Sequence, residues 1–203
     1  PTPEEIRSLS EMIQKFDSSG NYIKQWGNTK PGYNYGGAIL EGEFSSFSNV
    51  KLSIDSQNNI YATDSSNSRV QKFNSDGEFL SMIGGSGPNS YPVGSGSGNS
   101  EFYSFDLRIT VDSNDNLYVL DTNNDRVQKF SSNGVFVSTW GSTGTADGEF
   151  SQAKDIMVDS ADNIYVYSER DGSYSNTKVQ KFSSSGVFMY SVGSGADEQA
   201  LSL

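Results

Sequence analysis

Short stretches in which hydrophobic and polar residues alternate recur along the whole chain, and one of them occurs four times. It reads Arg-Val-Gln-Lys-Phe at residues 126–130, and its counterparts lie at 12–16, 69–73 and 178–182. The hydrophobic residue at its second position recurs after 57, 57 and 52 residues. Alternation with a period of two predicts a β-strand, and a repeat of this length predicts stacked supersecondary units.

Each fuller repeat contains four such stretches, separated by turns rich in Gly, Asn, Asp and Ser. In the second repeat we predict strands over 107–111, 116–120, 126–130 and 136–140. Loops this short join neighbouring antiparallel strands, so each repeat predicts a four-stranded meander. Asn58, Asp115 and Asp162 occupy turn positions where a left-handed backbone is expected, which Asn and Asp tolerate.

Four-stranded meanders repeated around an axis are the blades of a β-propeller. We therefore predict an all-β fold with full blades at 42–84, 100–141 and 148–193 and a half-blade at 12–27. Phe44, Phe102 and Phe150 are expected to fill the joints between neighbouring blades. Residues 194–203 look like the start of a further blade. Residues 1–11 do not match the repeat. Their Thr-Pro-Glu-Glu sequence fits the start of a short helix, and a frayed segment is the alternative.

The order of these motifs resembles the NHL repeat over about residues 12–193. Each fuller repeat runs from Glu-Phe through an Asp-Ser turn and the Arg-Val-Gln-Lys-Phe stretch to Gly-x-Phe and a final glycine. The third repeat departs from the pattern, because Ser168 and Lys178 stand where the other two carry Asp and Arg. The resemblance implies a propeller, usually six-bladed, that binds ligands or partners through its loop faces.

Three and a half blades do not close a ring, and an open propeller leaves strand edges exposed. One interpretation is that the chain continues in a longer array. Another is a homo-oligomer in which two copies close a six-bladed ring. A third makes the chain a structural module that polymerises through its blade edges.

The charge and the missing residue types exclude several functions. A net charge of −11 argues against nucleic acids and anionic membrane surfaces as partners. No apolar run is long enough to span a bilayer, so no membrane insertion is expected. The chain has no Cys and no His, which removes thiol chemistry, the commonest general base and the commonest zinc ligand.

Two Asp–Arg combinations recur at the loop between the second and third strands of a blade. They are Asp64 with Arg69 and Asp121 with Arg126. A ring of charges on one face is one interpretation, but recurrence once per blade favours a structural carboxylate–guanidinium pair. We predict the structural pairs.

The Asp-Ser turns that follow the first strand of each blade superficially resemble calcium loops. In the second repeat, however, Leu117 and Asn123 stand where an EF-hand needs Gly and Glu. Turns stabilised by the Asp side chain explain the pattern better. No metal or other cofactor is expected, with weak Ca²⁺ binding by the clustered turn carboxylates as the alternative.

The links between blades differ in length and sequence, and binding residues are often found on such variable loops. These links and the insert at 169–176 share one face of a propeller, and they carry tyrosines among Gly, Ser and Asn. The candidate ligand-binding residues are Tyr33, Tyr35, Tyr91, Tyr103 and Tyr174. Exposed Tyr in such loops suits protein or glycan partners. The alternative is a solvated loop whose tyrosine folds back onto its blade.

The sequence therefore favours a non-enzymatic binding scaffold, located outside the cell or at the cell surface. Some proteins similar to the NHL family are lyases or hydrolases that hold a metal in the central channel. The alternative function is accordingly a part of a carboxylate- or metal-dependent propeller enzyme whose other blades are missing.

Overall fold

The computed structural model describes residues 12–27, 41–44, 49–85, 96–103, 106–169 and 177–193. The predicted N-terminal helix and the predicted start of a further blade lie outside these residues. The strands are β1 (Ile13–Phe16), β2 (Tyr22–Trp26), β3 (Leu52–Ile54), β4 (Ile60–Asp64), β5 (Arg69–Phe73), β6 (Phe79–Gly84), β7 (Arg108–Val111), β8 (Leu117–Asp121), β9 (Arg126–Phe130), β10 (Phe136–Trp140), β11 (Ala153–Val158), β12 (Ile164–Glu169), β13 (Thr177–Phe182) and β14 (Phe188–Gly193).

The strands form one two-stranded sheet and three four-stranded sheets, all antiparallel. In every sheet the strands lie side by side in chain order, so each sheet is a meander. We call them the half-blade (β1–β2), blade 1 (β3–β6), blade 2 (β7–β10) and blade 3 (β11–β14). The prediction of an all-β propeller with three full blades and a half-blade is confirmed. No helix in the described ranges is long and apolar enough to cross a membrane.

The turns between the first and second strands of the blades have the backbone that the sequence predicts. Asn58, Asp115 and Asp162 have φ angles of 63°, 63° and 60°. Asn and Asp are among the few residues that adopt this left-handed region readily, which is why they occur there. These turns reverse the chain tightly, so the first two strands of each blade pair directly.

The hydrophobic core lies in the joints between blades rather than inside any one blade. The joint between blades 1 and 2 contains Tyr61 and Val70 from one side and Leu117 and Phe130 from the other, with Phe102 between them. Phe102 is fully buried, and Phe44 and Phe150 are 2% and 0% exposed in the neighbouring joints. The link phenylalanines therefore fill the joints, as the sequence predicts.

Candidate functional site

A propeller of this topology has two ends with different loops. The loops between second and third strands and the links between blades lie at one end, which we call the loop face. The turns between first and second strands and between third and fourth strands lie at the other, which we call the turn face. Candidate residues from the sequence lie on both faces.

On the loop face of blade 2, Asp121 and Arg126 form a buried ion pair. Arg126 Nε donates to Asp121 Oδ2 over 3.1 Å, and the side-chain amide of Asn124 donates to the same oxygen over 2.8 Å. The guanidinium also donates to the backbone carbonyl of Glu101 over 2.7 Å. Charge-assisted bonds of this kind are strong, so the pair fastens the link that precedes the blade to its second and third strands.

Blade 1 has the same arrangement, and blade 3 has a variant of it. Arg69 Nε lies 2.9 Å from Asp64 Oδ2, and its guanidinium donates to the carbonyl of Glu43 over 2.8 Å. In blade 3, Lys178 replaces the arginine and its Nζ lies 3.1 Å from Asp147 in the preceding link. Lys178 Nζ also donates to the carbonyls of Thr145 and Ala146 over 3.3 and 3.1 Å, so all three cations hold a link backbone, which is a structural use of these charges.

Tyr103 is the one candidate ligand-binding tyrosine among the described residues. Its backbone N–H donates to Asp121 Oδ1 over 2.9 Å, so the carboxylate that pairs with Arg126 also fixes the position of this residue. Tyr103 as a whole is 47% exposed. The other four, namely Tyr33, Tyr35, Tyr91 and Tyr174, lie outside the described residues.

Asp121 itself is unsuited to general base chemistry. Burial raises its pKa above the ordinary value, although hydrogen bonds from Asn124, the Tyr103 N–H and Arg126 oppose that shift. The side chain has no exposed surface. A substrate cannot reach a carboxylate that is enclosed in this way, whatever its proton affinity.

On the turn face, the Asp-Ser turns of all three blades surround an open cavity of about 450 Å³. None of the described residues that line it is Lys or Arg, but the ammonium groups of Lys72, Lys129 and Lys181 lie 3.0, 3.9 and 3.4 Å from Asp55, Asp112 and Asp159 and offset part of its negative charge. The lining carboxylates are Asp55, Asp112, Asp115, Asp159 and Asp162. This is the place where the weak Ca²⁺ binding considered from the sequence would have to occur.

The carboxylate of the first aspartate in each turn accepts hydrogen bonds from residues of the same turn and strand. Asp112 accepts the backbone N–H of Asn116 over 2.9 Å and the hydroxyl of Tyr118 over 2.9 Å. Hydrogen bonds from the side-chain amide and the backbone N–H of Asn163 lower the pKa of Asp159 below its ordinary range. Burial alone would raise the pKa of Asp55, but hydrogen bonds from Asn59 and the nearby Lys72 outweigh it and lower the pKa.

The remaining two aspartates bind the preceding blade. Asp115 accepts the backbone N–H and the hydroxyl of Ser56, both over 2.8 Å. Asp162 accepts the same two groups of Ser113, over 2.9 and 2.7 Å. The sequence analysis missed these bonds between blades, although the Ser that follows the turn Asp in every copy is a signal for them. Among the described residues, no group of three or more His, Cys, Asp or Glu is placed to hold a metal ion.

Comparison with known families gives a match in each of two parts of the chain. Residues 50–73 match the NHL repeat, and residues 106–190 match the family described as a 6-bladed beta-propeller. A search of curated proteins found no match.

Comparison with solved structures gives propellers of greater length. One is the catalytically inactive virginiamycin B lyase from Staphylococcus aureus with quinupristin (TM-score 0.56, 11% identity), where the similarity covers 90% of this chain and 48% of the lyase. Another is the hydrazine synthase of Kuenenia stuttgartiensis (TM-score 0.57, 9% identity), with 91% and 43% covered. A third is a Bacteroides fragilis protein described as exported (TM-score 0.54, 18% identity), with 91% and 43% covered.

These identities establish a shared fold and nothing further. The chain spans about half the length of the structures that it matches.

Proposed function

Because the chain is an NHL-repeat β-propeller protein, we propose that it is a non-catalytic scaffold that binds a protein or glycan partner on its loop face. The recurring charged residues support this proposal, because the structure uses them to build the blades. Asp64 and Asp121 pair with arginines, and the turn aspartates bind backbone N–H groups and neighbouring blades. Because these charged groups are used in the structure itself, we assign partner binding to the variable links.

The fixed backbone and exposed ring of Tyr103 carry the proposal. Its N–H bond to the buried Asp121 sets the position of the residue, while about half of the residue's surface remains open to solvent. An aromatic ring on a fixed backbone loses little conformational entropy when a partner covers it. The phenol offers an apolar face and a hydroxyl, which together suit a sugar ring or a protein surface.

The test is binding to an immobilised glycan array and to a panel of purified extracellular proteins. For any ligand that binds the chain, we expect Tyr103→Ala to weaken binding at least about tenfold, since stacking and one hydrogen bond are lost. Val137→Ala is the control, because Val137 is 65% exposed but lies on the outer strand of blade 2, away from the loop face. Absence of any ligand, or equal effects of both substitutions, would overturn the proposal.

A location outside the cell or at its surface is part of the same proposal. The similarity to the exported Bacteroides fragilis protein supports it. Fractionation of the native source with an antibody against the chain would test it, and recovery in the cytosol alone would contradict it.

The acidic cavity on the turn face favours the alternative, in which the chain is part of a propeller enzyme. Five aspartates line it, and two of the similar structures are enzymes. Measurement of metal content in the purified protein separates the two functions. A stoichiometric transition metal that is lost in Asp115→Asn would favour the enzyme, whereas a metal-free protein with loop-face binding would favour the scaffold.

A further inference from the structure

The same set of contacts holds each pair of successive blades together. On the turn face, a lysine of one blade donates to a turn carbonyl of the next: Lys72 Nζ to Ser132 O over 3.3 Å, and Lys129 Nζ to Ser184 O over 2.9 Å. Lys15 of the half-blade does the same with Ser75 of blade 1 over 2.8 Å. The joint is therefore a repeated interface with a defined donor on one side and a defined acceptor on the other.

A second contact of the joint places a large side chain over a turn glycine. A Cβ added to Gly186 of blade 3 would lie 2.5 Å from the ring of Trp140 in blade 2, and one added to Gly77 would lie 2.5 Å from Trp26. Only glycine lets the ring approach this closely, and φ angles of +84° and +74° also require it. The glycine turn thus marks the side of a blade that receives its predecessor.

Blade 3 presents the donor side of this interface without a described blade to cover it. We call this surface the trailing face, and it consists of Tyr165, Tyr167, Val179, Lys181 and Val192. Their counterparts in blade 2 include Tyr118, Leu120 and Val127, all of which are 0% exposed. Val192, by contrast, is 48% exposed, and Tyr165, Tyr167 and Val179 are partly exposed.

The half-blade presents the acceptor side, again uncovered by any described residue. We call this surface the leading face, and it consists of Phe16, Ser18, Gly20 and Tyr22. Phe16 is 50% exposed and Tyr22 is 55% exposed, whereas the counterparts of Phe16 in the three blades are at most 1% exposed. A Cβ added to Gly20 would meet nothing within 4 Å, and its φ of +81° matches the other turn glycines.

We propose that two copies of this chain associate head to tail, with the trailing face of one copy on the leading face of the other. Lys181 of one copy then donates to the Ser18 carbonyl of the other, and Val192 lies over Gly20, as their counterparts do inside the chain. The occupant is a second copy because the half-blade carries the turn carbonyl, turn glycine and phenylalanine that receive a preceding blade at the internal joints. Such an interface is heterologous, so it forms a ring where the rotation closes and an open chain where it does not.

The experiment is sedimentation velocity of the intact chain over a concentration series. We expect the average mass to rise above 22.1 kDa as concentration increases. Two variants each remove one face: Val192→Asp on the trailing face and Phe16→Asp on the leading face. Both positions are about half exposed in the single copy, so neither substitution should unfold the chain, and circular dichroism checks this. Val137→Asp is the control, because Val137 is 65% exposed and belongs to neither face.

A mixture of the two variants distinguishes head-to-tail association from other kinds. Each variant alone is expected to weaken association at least about tenfold, since a buried unpaired carboxylate opposes the contact. Mixed together, they retain one intact interface and should form a dimer that grows no further. A monomeric parent chain, variants that associate like the Val137→Asp control, or a mixture that stays monomeric would each overturn the proposal. A monomeric parent would instead indicate that blades of a longer polypeptide cover both faces.

Discussion

Blades 2 and 3 have the same strand order and closely similar sequences, yet their second strands differ sharply in burial. Every residue of β8 is buried, whereas β12 alternates between buried and partly exposed residues. Tyr118 is fully buried and donates to Asp112, while its counterpart Tyr165 makes the same bond to Asp159 from a partly exposed position. The backbone conformation and internal hydrogen bonds of a blade are therefore set within the blade, whereas the burial of its side chains requires a neighbouring blade.

This difference separates two sources of stability in the molecule. Turns, ion pairs and strand ladders are formed inside each blade and depend on local sequence. Hydrophobic burial, which supplies most of the free energy of folding, is formed only where two blades meet. Substitutions at joints and at free faces should accordingly have unequal effects even when the residue type is identical.

The largest expected effect is at the phenylalanine between blades 2 and 3. Phe150→Ala empties a fully buried site that contacts the Phe182 ring, and it should lower the free energy of unfolding by about 3–5 kcal/mol. Phe16→Ala should cost about 1 kcal/mol, because that ring is half exposed. Urea denaturation followed by circular dichroism gives both values. Equal losses would mean that joints do not dominate stability.

A smaller effect is expected where a turn glycine meets a tryptophan. Gly186→Ala should cost about 2–3 kcal/mol, because the new methyl group overlaps the Trp140 ring and the backbone has a positive φ. Gly20→Ala carries the same backbone strain with open space around it, so it should cost about 1 kcal/mol. The difference between the two thermal midpoints isolates the contact, and identical midpoints would contradict it.

The comparison of equivalent valines tests the two blades directly. Val127→Ala removes two buried methyl groups and should cost about 2 kcal/mol, whereas Val179→Ala should cost less than about 1 kcal/mol in a single copy. Denaturation at low protein concentration gives the two values without association. If Val179→Ala costs as much as Val127→Ala, blade 3 is covered in solution.

The smallest expected effect is on the stability of the fold at acidic pH. The pKa of Asp159 is lowered in the folded chain. Its ionised carboxylate therefore stabilises the fold at pH values above 3.8, the ordinary pKa of this group. That contribution is lost as the pH falls below 3.8 and through the lowered pKa. Asp159→Asn should therefore unfold with a weaker dependence on pH in this acidic range than the parent chain. If the free energy of unfolding depends on pH equally in the variant and in the parent chain, Asp159 does not make this contribution.

Much of the fold could be predicted because the repeated sequence pattern indicates the strands and turns of each blade. Spacing alone locates the blades, and the turn residues Asn58, Asp115 and Asp162 have the left-handed backbone that their residue types favour. The predicted second strand of blade 2 began at Asn116, but the strand begins at Leu117. Asn116 is held in the turn because its N–H binds Asp112, a local competition that alternation of residue types does not reveal.

The candidate site was predictable only where its partners are close in sequence. Asp121 and Arg126 lie five residues apart across one loop, so their ion pair follows from strand pairing. The bond from Ser113 to Asp162 joins residues 49 positions apart in different blades, and the angle between blades decides it. The bond from the Tyr103 N–H to Asp121 likewise depends on the path of the link that precedes the blade. No sequence motif predicts that path.

The tryptophan contacts at the joints also give the chain a natural optical readout. The sequence has two tryptophans, Trp26 and Trp140, and each ring lies against a turn of the following blade. Their indole emission thus reports on two separate boundaries, one beside blade 1 and the other beside blade 3. With Trp140→Phe, the remaining fluorescence follows the first boundary alone. Comparison with the parent chain would show whether the blades separate together or in sequence during unfolding.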